Sequence, residues 1–349
     1  MNKRIKFIMA YSTINKSTDY FNTKLYAGTG STNNVTGVGF QPDWTWIKSR
    51  TDTGNHRIYD AVRGATKTIY SNLNNEEGTN TNGLSSFDSD GFTVNTNTQS
   101  NGSGNNFVSW NWKANGQGSS NTDGTINSTY TSANTTAGFS IVKYTGTGSV
   151  ATVGHGLGVA PKMMLIRILG DVNDWQVYHQ SLGNTHRLIL NDASASSDQS
   201  NRWNDTSPTS SVFTLGTHSS VNASGATYIA YCFAEKQGYS KIGSFIGNGN
   251  ADGSFIYTGF KPAFVIYKRY DSGSYSWVLV DNKRNTFNAV DKYVHPDLSA
   301  AEGTVTLMDF LSNGFKMRVN DTTSNQGSII YMAFGQSLVG SNNVPCTAR

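Results

Sequence analysis

One apolar segment, entered by a proline and left by a cation, is written three times in this chain. The copies occupy residues 39–48, 158–167 and 259–268. Each has Gly three residues before the proline (Pro42, Pro161, Pro262) and a cation six residues after it (Lys48, Arg167, Lys268). The prolines are 119 and 101 residues apart. Repetition at this spacing makes each copy one structural unit, so the chain is read as one fold used three times.

Three further markers keep the register. A Gly-x-Gly turn follows an aromatic in Tyr26-Ala27-Gly28-Thr29-Gly30, Tyr144-Thr145-Gly146-Thr147-Gly148 and Phe245-Ile246-Gly247-Asn248-Gly249. A short strand reads through Asp60, His179 and Asp281. An aromatic-rich closing strand ends at Trp112, Phe233 and Phe334, which lie 70, 72 and 72 residues after the prolines. A fourth strand starts near Phe92, Phe213 and Phe315. Two of those starts carry Asp90-Gly91 and Asn313-Gly314, hairpin chemistry that accommodates a positive φ.

Charged residues are only 14% of the 349 and aromatics reach 12%, a profile of short strands and many turns rather than long helices. The expected fold is all-β: three tandem antiparallel β-sandwich repeats of jelly-roll or lectin-like type, about 100 residues each. The expected boundaries are an N-terminal arm at 1–23, repeats at 24–115, 137–237 and 238–340, a polar linker at 116–136 and a tail at 341–349. The linker predicts an offset first repeat and close packing of the other two. Copies two and three of the closing strand are apolar on both faces, so both faces are covered. Either the strand is central in a two-sheet sandwich, the favoured reading, or its outer face meets another repeat or subunit.

The net charge of +4 is unclustered except for Lys3, Arg4 and Lys6, which argues against nucleic-acid binding. Two cysteines, Cys232 in a strand and Cys346 near the end, exclude a disulfide-built scaffold and show no metal-ligand spacing. The apolar stretch after Lys6 is too short for a secretory h-region, so synthesis without a signal peptide is expected. No segment approaches a membrane-spanning length, and no membrane insertion is expected.

Chemistry is sparse along the sequence. Lys48–Asp60 and Lys268–Asp281 are expected as cross-strand ion pairs, with Arg167 and His179 breaking the pattern in copy two. Glycoside hydrolysis needs two placed carboxylates, and Glu76-Glu77 in an Asn/Gly-rich loop reads as solvation. The six histidines show no metal spacing, and no G-x-S-x-G elbow occurs. No catalytic residue, metal or cofactor is assigned, and the chain reads as a non-enzyme. The Gly-x-Gly turns lack the strand–turn–helix context of a phosphate cradle. Binding residues are sought among aromatics outside the repeat pattern: Trp203 with Arg202 and Asp205, then Tyr270 and Tyr275. A ring flanked by Asn, Asp and Arg suits stacking on a sugar.

These motifs resemble those of repeat-containing virion proteins of marine tailed phages. The carriers are the Tyr-x-Gly-x-Gly turns at Tyr26 and Tyr144, the segment 259–268, the run from Phe87 through Asp90-Gly91-Phe92 and the ending 343–349. The resemblance spans nearly the whole chain and rests on structural motifs. It implies a virion protein: a tail fibre or receptor-binding adhesin presenting loops to host surface glycans, or a head fibre or capsid decoration protein. A polysaccharide-degrading tailspike is the enzymatic alternative. The partners then expected are other virion proteins, further copies of the chain as a homotrimer, and a host glycan, with the arm as the dock.

Overall fold

The structure, a computed structural model, describes residues 12–339. Cys346, the tail 341–349 and positions 1–11 of the expected arm lie outside the described residues. The fold is all-β and antiparallel, dominated by three large sheets. In the first sheet, Phe21–Ala27, Asn106–Trp112, Trp44–Ser49, Arg57–Asp60 and Lys67–Tyr70 lie side by side in that order. The second sheet runs Phe139–Thr145, Thr227–Phe233, Met163–Ile168, Gln176–His179 and His186–Ile189. The third runs Ser240–Asn248, Gln326–Gly335, Pro262–Arg269, Val278–Asp281 and Val290–Val294.

Read along the chain, the order is the same each time: opening strand, closing strand, proline strand, then the next two. Proline has no N–H for a ladder, and each sits at or just before its strand's first residue. Beyond it, Trp44, Met163 and Phe264 each stand between two partners. On one side are Trp112, Phe233 and Phe334; on the other are Asp60, His179 and Asp281.

Both faces of the closing strand are covered, as its apolarity requires. One face of each large sheet packs on its own smaller core. In the second unit, Tyr228, Ala230 and Cys232 face Val153 and Phe213 of the short pair Ala151–Gly154 and Val212–Leu215. In the third, Ile329, Tyr331 and Ala333 pack with Ile256 and Phe315. The opposite faces of all three sheets share a single core, to which Trp44, Trp110, Trp112, Ile229, Tyr231, Phe233, Ile330, Met332 and Phe334 belong.

At the centre of that core the last aromatics of the three closing strands meet. Trp112 lies 6.4 Å from Phe233 and 5.6 Å from Phe334, and Phe233 lies 6.3 Å from Phe334, centroid to centroid. Each large ring removed from water contributes roughly 1.5–3 kcal/mol. No single sheet could cover this apolar face alone, so the three are bound to fold around one another.

This arrangement corrects the expected offset of the first unit, which packs into the shared core as the others do. The stretch expected as a linker carries the strand Tyr130–Asn134, which extends the second sheet at its edge. Ile126 is buried and bridges to Val153. The polar composition of this stretch is used locally, as in the 2.8 Å contact between the hydroxyls of Ser128 and Thr131. The described part of the arm is likewise built in: Ile14 belongs to the shared core and the first strand starts at Phe21.

The Gly-x-Gly turns are backbone devices. Gly30, Gly148 and Gly249 have φ of +70°, +77° and +65°. Their N–H groups donate to the carbonyls of Asn101, Asn222 and Asn325. A side chain on Gly28 or Gly146 would collide with the carbonyl of Gly102 or Ala223. The buried amides of the same three asparagines hold the turns: each Oδ1 accepts the N–H of Thr29, Thr147 or Asn248. At the Asp-Gly and Asn-Gly starts, a positive φ appears at Gly91 alone. The feature common to Gly91 and Gly314 is a close partner strand, whose Val35 or Ile256 carbonyl leaves no room for a Cβ.

Candidate functional site

The three sheets meet along three seams that use the same atoms. Glu77 N–H donates to the Leu169 carbonyl at 2.7 Å, Ser196 to Tyr270 at 2.9 Å, and Glu302 to Arg50 at 2.9 Å. A second set pairs Asn173 with Asn74, Tyr275 with Ala193 and Gly54 with Ser299. The indoles of Trp175 and Trp277 donate across the seams to the carbonyls of Tyr70 and Ile189, both at 2.8 Å. First unit touches second, second touches third, and third returns to first, so the arrangement is a closed ring within one chain.

The proline-strand cations are seam residues, and the expected Lys48–Asp60 and Lys268–Asp281 pairs do not form. The ladder places Asp60 opposite Trp44, at the other end of the strand from Lys48. Lys48 instead donates to the carbonyls of Ser49 at 2.8 Å and Asp52 at 3.3 Å. Arg167 reaches the Asn75 carbonyl across its seam, and Lys268 reaches the Asp192 carbonyl across its own and the Tyr275 carbonyl within its unit. Arg167 and Lys268 also lie over the rings of Trp175 and Trp277. Burial lowers both lysines to about 8 and Arg167 to about 10.

Asp60 and Asp281 pair three residues ahead, with Arg63 and Arg284, and both ion pairs are fully buried. Each aspartate also takes a hydrogen bond from the next unit's closing strand: Tyr231 Oη to Asp60 at 2.6 Å and Trp110 Nε1 to Asp281 at 3.0 Å. Glu77 and Glu302 extend the clusters, to Arg63 at 3.1 Å and Arg284 at 3.3 Å. Glu77 is thus an ion-pair partner rather than a solvating loop residue. At the third seam the equivalent closing-strand residue is Met332, which has no donor. There His179 replaces the aspartate and Leu182 the arginine. The break in copy two matches its neighbour's chemistry.

His179 Nε2 lies 3.3 Å from the Tyr331 carbonyl while Nδ1 accepts the Ser181 N–H at 3.2 Å, an arrangement that suits the neutral ring. Burial holds its pKa down to about 4. An unfolded histidine titrates near 6.5, so between about pH 6.5 and 4 the unfolded chain binds a proton that the folded chain refuses, and stability falls as pH falls through that window. The full effect is about 3 kcal/mol. Asp43, raised by burial to about 6, acts in the opposite sense, so the comparison needs a variant. Urea unfolding at pH 7 and pH 4.5 is expected to show a larger loss on acidification for the wild type than for His179→Leu. Equal losses would contradict this assignment.

The aromatics singled out as ligand-binding do not form one site. Trp203 is 1% exposed, packs edge-on against Tyr178 and donates Nε1 to the His186 carbonyl at 2.9 Å. Arg202 is buried beside it, bonded to Gln176 at 3.0 Å and lowered to about 10 by burial. Asp205 is exposed at the following turn, where its carbonyl accepts from Asn184. Trp203 therefore covers its own unit's core instead of offering a platform. Tyr270 and Tyr275 lie on the seam between second and third units, where Arg269 stacks 4.5 Å from the Tyr275 ring centroid.

A concave site lies elsewhere, on the third unit. Lys261, Asn282, Phe287, Phe310 and Gln336 line a cleft of about 270 Å³. Phe287 stands at its mouth with 84% of its surface exposed. The signal in the sequence is a length: Val294 lies thirteen residues after Asp281, whereas Ile69 and Leu188 lie nine after Asp60 and His179. Among the described residues no group of three or more His, Cys, Asp or Glu side chains is placed to hold a metal ion. No helix among them is long and apolar enough to cross a membrane.

Ring, seams and cleft together define a β-rich chain with a solid aromatic centre and distinct outer loops. The chain belongs to the family described as domain of unknown function (DUF7483), whose model matches residues 16–337. No curated protein and no solved structure matches it.

Proposed function

We propose that this chain is a structural and adhesive virion protein, a tail-fibre or receptor-binding component that presents its loops to host surface glycans. In this reading it is three tandem antiparallel sandwich repeats of jelly-roll or lectin-like type, working as a non-enzymatic rigid spacer. The observation that carries it is the meeting of Trp112, Phe233 and Phe334 in one core. A unit whose repeats share their centre cannot flex between them, which suits load-bearing and fixed loop presentation. Of the motifs that resemble phage virion proteins, the turns at Tyr26 and Tyr144, the segment 259–268 and Asp90-Gly91-Phe92 fall on strands and turns of this unit, and the ending 343–349 lies outside the described residues. Self-association as a homotrimer and docking on other virion proteins through the arm complete the proposal.

A head-fibre or capsid-decoration role is the second reading, favoured by the ring itself. One chain with three similar outer faces is shaped to seat on a threefold position of a particle. Immunogold labelling of particles with antibody to the purified protein separates the readings. Label at the fibres is expected, and label spread over the head moves the assignment to decoration. Particles without label would overturn both, and release of reducing ends from host envelope polysaccharide would make the chain a tailspike.

A further inference from the structure

We propose that the cleft beneath Phe287 is a saccharide-binding subsite carried by the third unit alone; this rests on the adhesive reading above and gives it a location. The connection from Asp281 to Val294 is four residues longer than its two counterparts, and Phe287 lies within it. Repeats that share a core diverge freely only at their outer loops, so an insertion in one copy is where a specific contact is added.

The inserted turn is held stiffly. Asn285 donates to the Asp291 carboxylate at 2.8 Å, and its Oδ1 accepts the N–H groups of Asp291 and Lys292. Asn288 donates to the Phe310 carbonyl at 3.0 Å and accepts the Phe310 N–H at 2.8 Å. These two anchors bracket Phe287, whose ring is left in water with 84% exposure. A large apolar ring on a fixed backbone loses little freedom on binding, which favours a ligand that stacks on it.

The cleft below the ring supplies polar contacts. Among the described residues, the Asn282 amide and the Lys261 ammonium have no hydrogen-bond partner. Gln336 donates through Nε2 to the Pro262 carbonyl at 3.1 Å, which leaves its Oε1 free to accept. The cleft thus offers amide donors and acceptors and one cation under an aromatic face. A pyranose, with one face of C–H groups and a rim of hydroxyls, matches that combination. A lipid surface would need more cations, and a protein partner a broader apolar area.

The test is an array of defined bacterial capsule and O-antigen oligosaccharides probed with the full-length protein. Phe287→Ala and Asn282→Ala are probed beside it, with Val172→Ala, at an exposed apolar residue of the second unit, as control. Matching urea midpoints would establish that the variants fold alike. The wild type is expected to bind at least one glycan, with a loss of about tenfold or more in both cleft variants and none in the control. Wild-type binding retained by Phe287→Ala would overturn the subsite while leaving the adhesive reading intact. An array with no bound glycan would overturn both the subsite and glycan adhesion, and labelling of particles would still decide the structural role.

Discussion

Trp112→Ala is expected to lower stability by about 3–5 kcal/mol and to loosen all three sheets together. The ring of Trp112 lies 4.7 Å from Phe21, 4.4 Å from Trp44, 5.5 Å from Phe264 and 5.6 Å from Phe334, and also touches Phe139 and Phe233 of the second unit. Its removal leaves a cavity walled by residues of every unit, which no single sheet can collapse to fill. Domains commonly hold about 5–15 kcal/mol in total, so the loss is a large share. Urea unfolding should show a lower midpoint and one transition, and limited proteolysis should cut in all three units. Trp112→Phe should cost far less. It keeps most ring contacts and removes an indole N–H that has no hydrogen-bond partner among the described residues. A Trp112→Ala protein with a near-native midpoint would show that the centre is not shared.

The second large effect is expected at Asp281. Its carboxylate holds Arg284 Nε at 2.6 Å, accepts the Arg284 N–H at 2.8 Å and takes the Trp110 indole across the seam at 3.0 Å. Arg284 is fully buried and lies over the Trp110 ring, 5.5 Å from its centroid. Asp281→Ala leaves that guanidinium with the Leu279 carbonyl and a single carboxylate among the described residues, Glu302, itself shared with Arg50. Breaking a buried pair by removing one member costs about 3–5 kcal/mol. Adding Arg284→Leu should return part of this, because Leu182 already fills the corresponding place beside His179. A double variant as unstable as the single one would mean that the charge itself is not the source of the loss.

The all-β class was legible because strand alternation survives in short windows: Ile229, Tyr231 and Phe233 on one face, Tyr228, Ala230 and Cys232 on the other. The register of the proline and closing strands was legible because three copies repeat it. Cross-unit contacts were not legible. The two-sided apolarity of the closing strand announced that a second partner exists, and only the fold names it as the other two sheets. Composition misled at 116–136, where Ser, Thr and Asn satisfy one another in ordered structure. It misled again at Trp203, whose polar neighbours Arg202 and Asn201 bond locally around a buried ring. Phe287 was missed because motif spacing was read between prolines and closing aromatics, where a shorter stretch downstream hides the inserted residues.

Native-state hydrogen exchange, read peptide by peptide, tests the shared centre most directly. If the three sheets form one cooperative unit, the slowest amides of Asn106–Trp112, Thr227–Phe233 and Gln326–Gly335 will exchange with the same opening free energy, and Trp112→Ala will lower all three equally. Separate opening free energies, with only the first strand responding to the substitution, would contradict the closed ring.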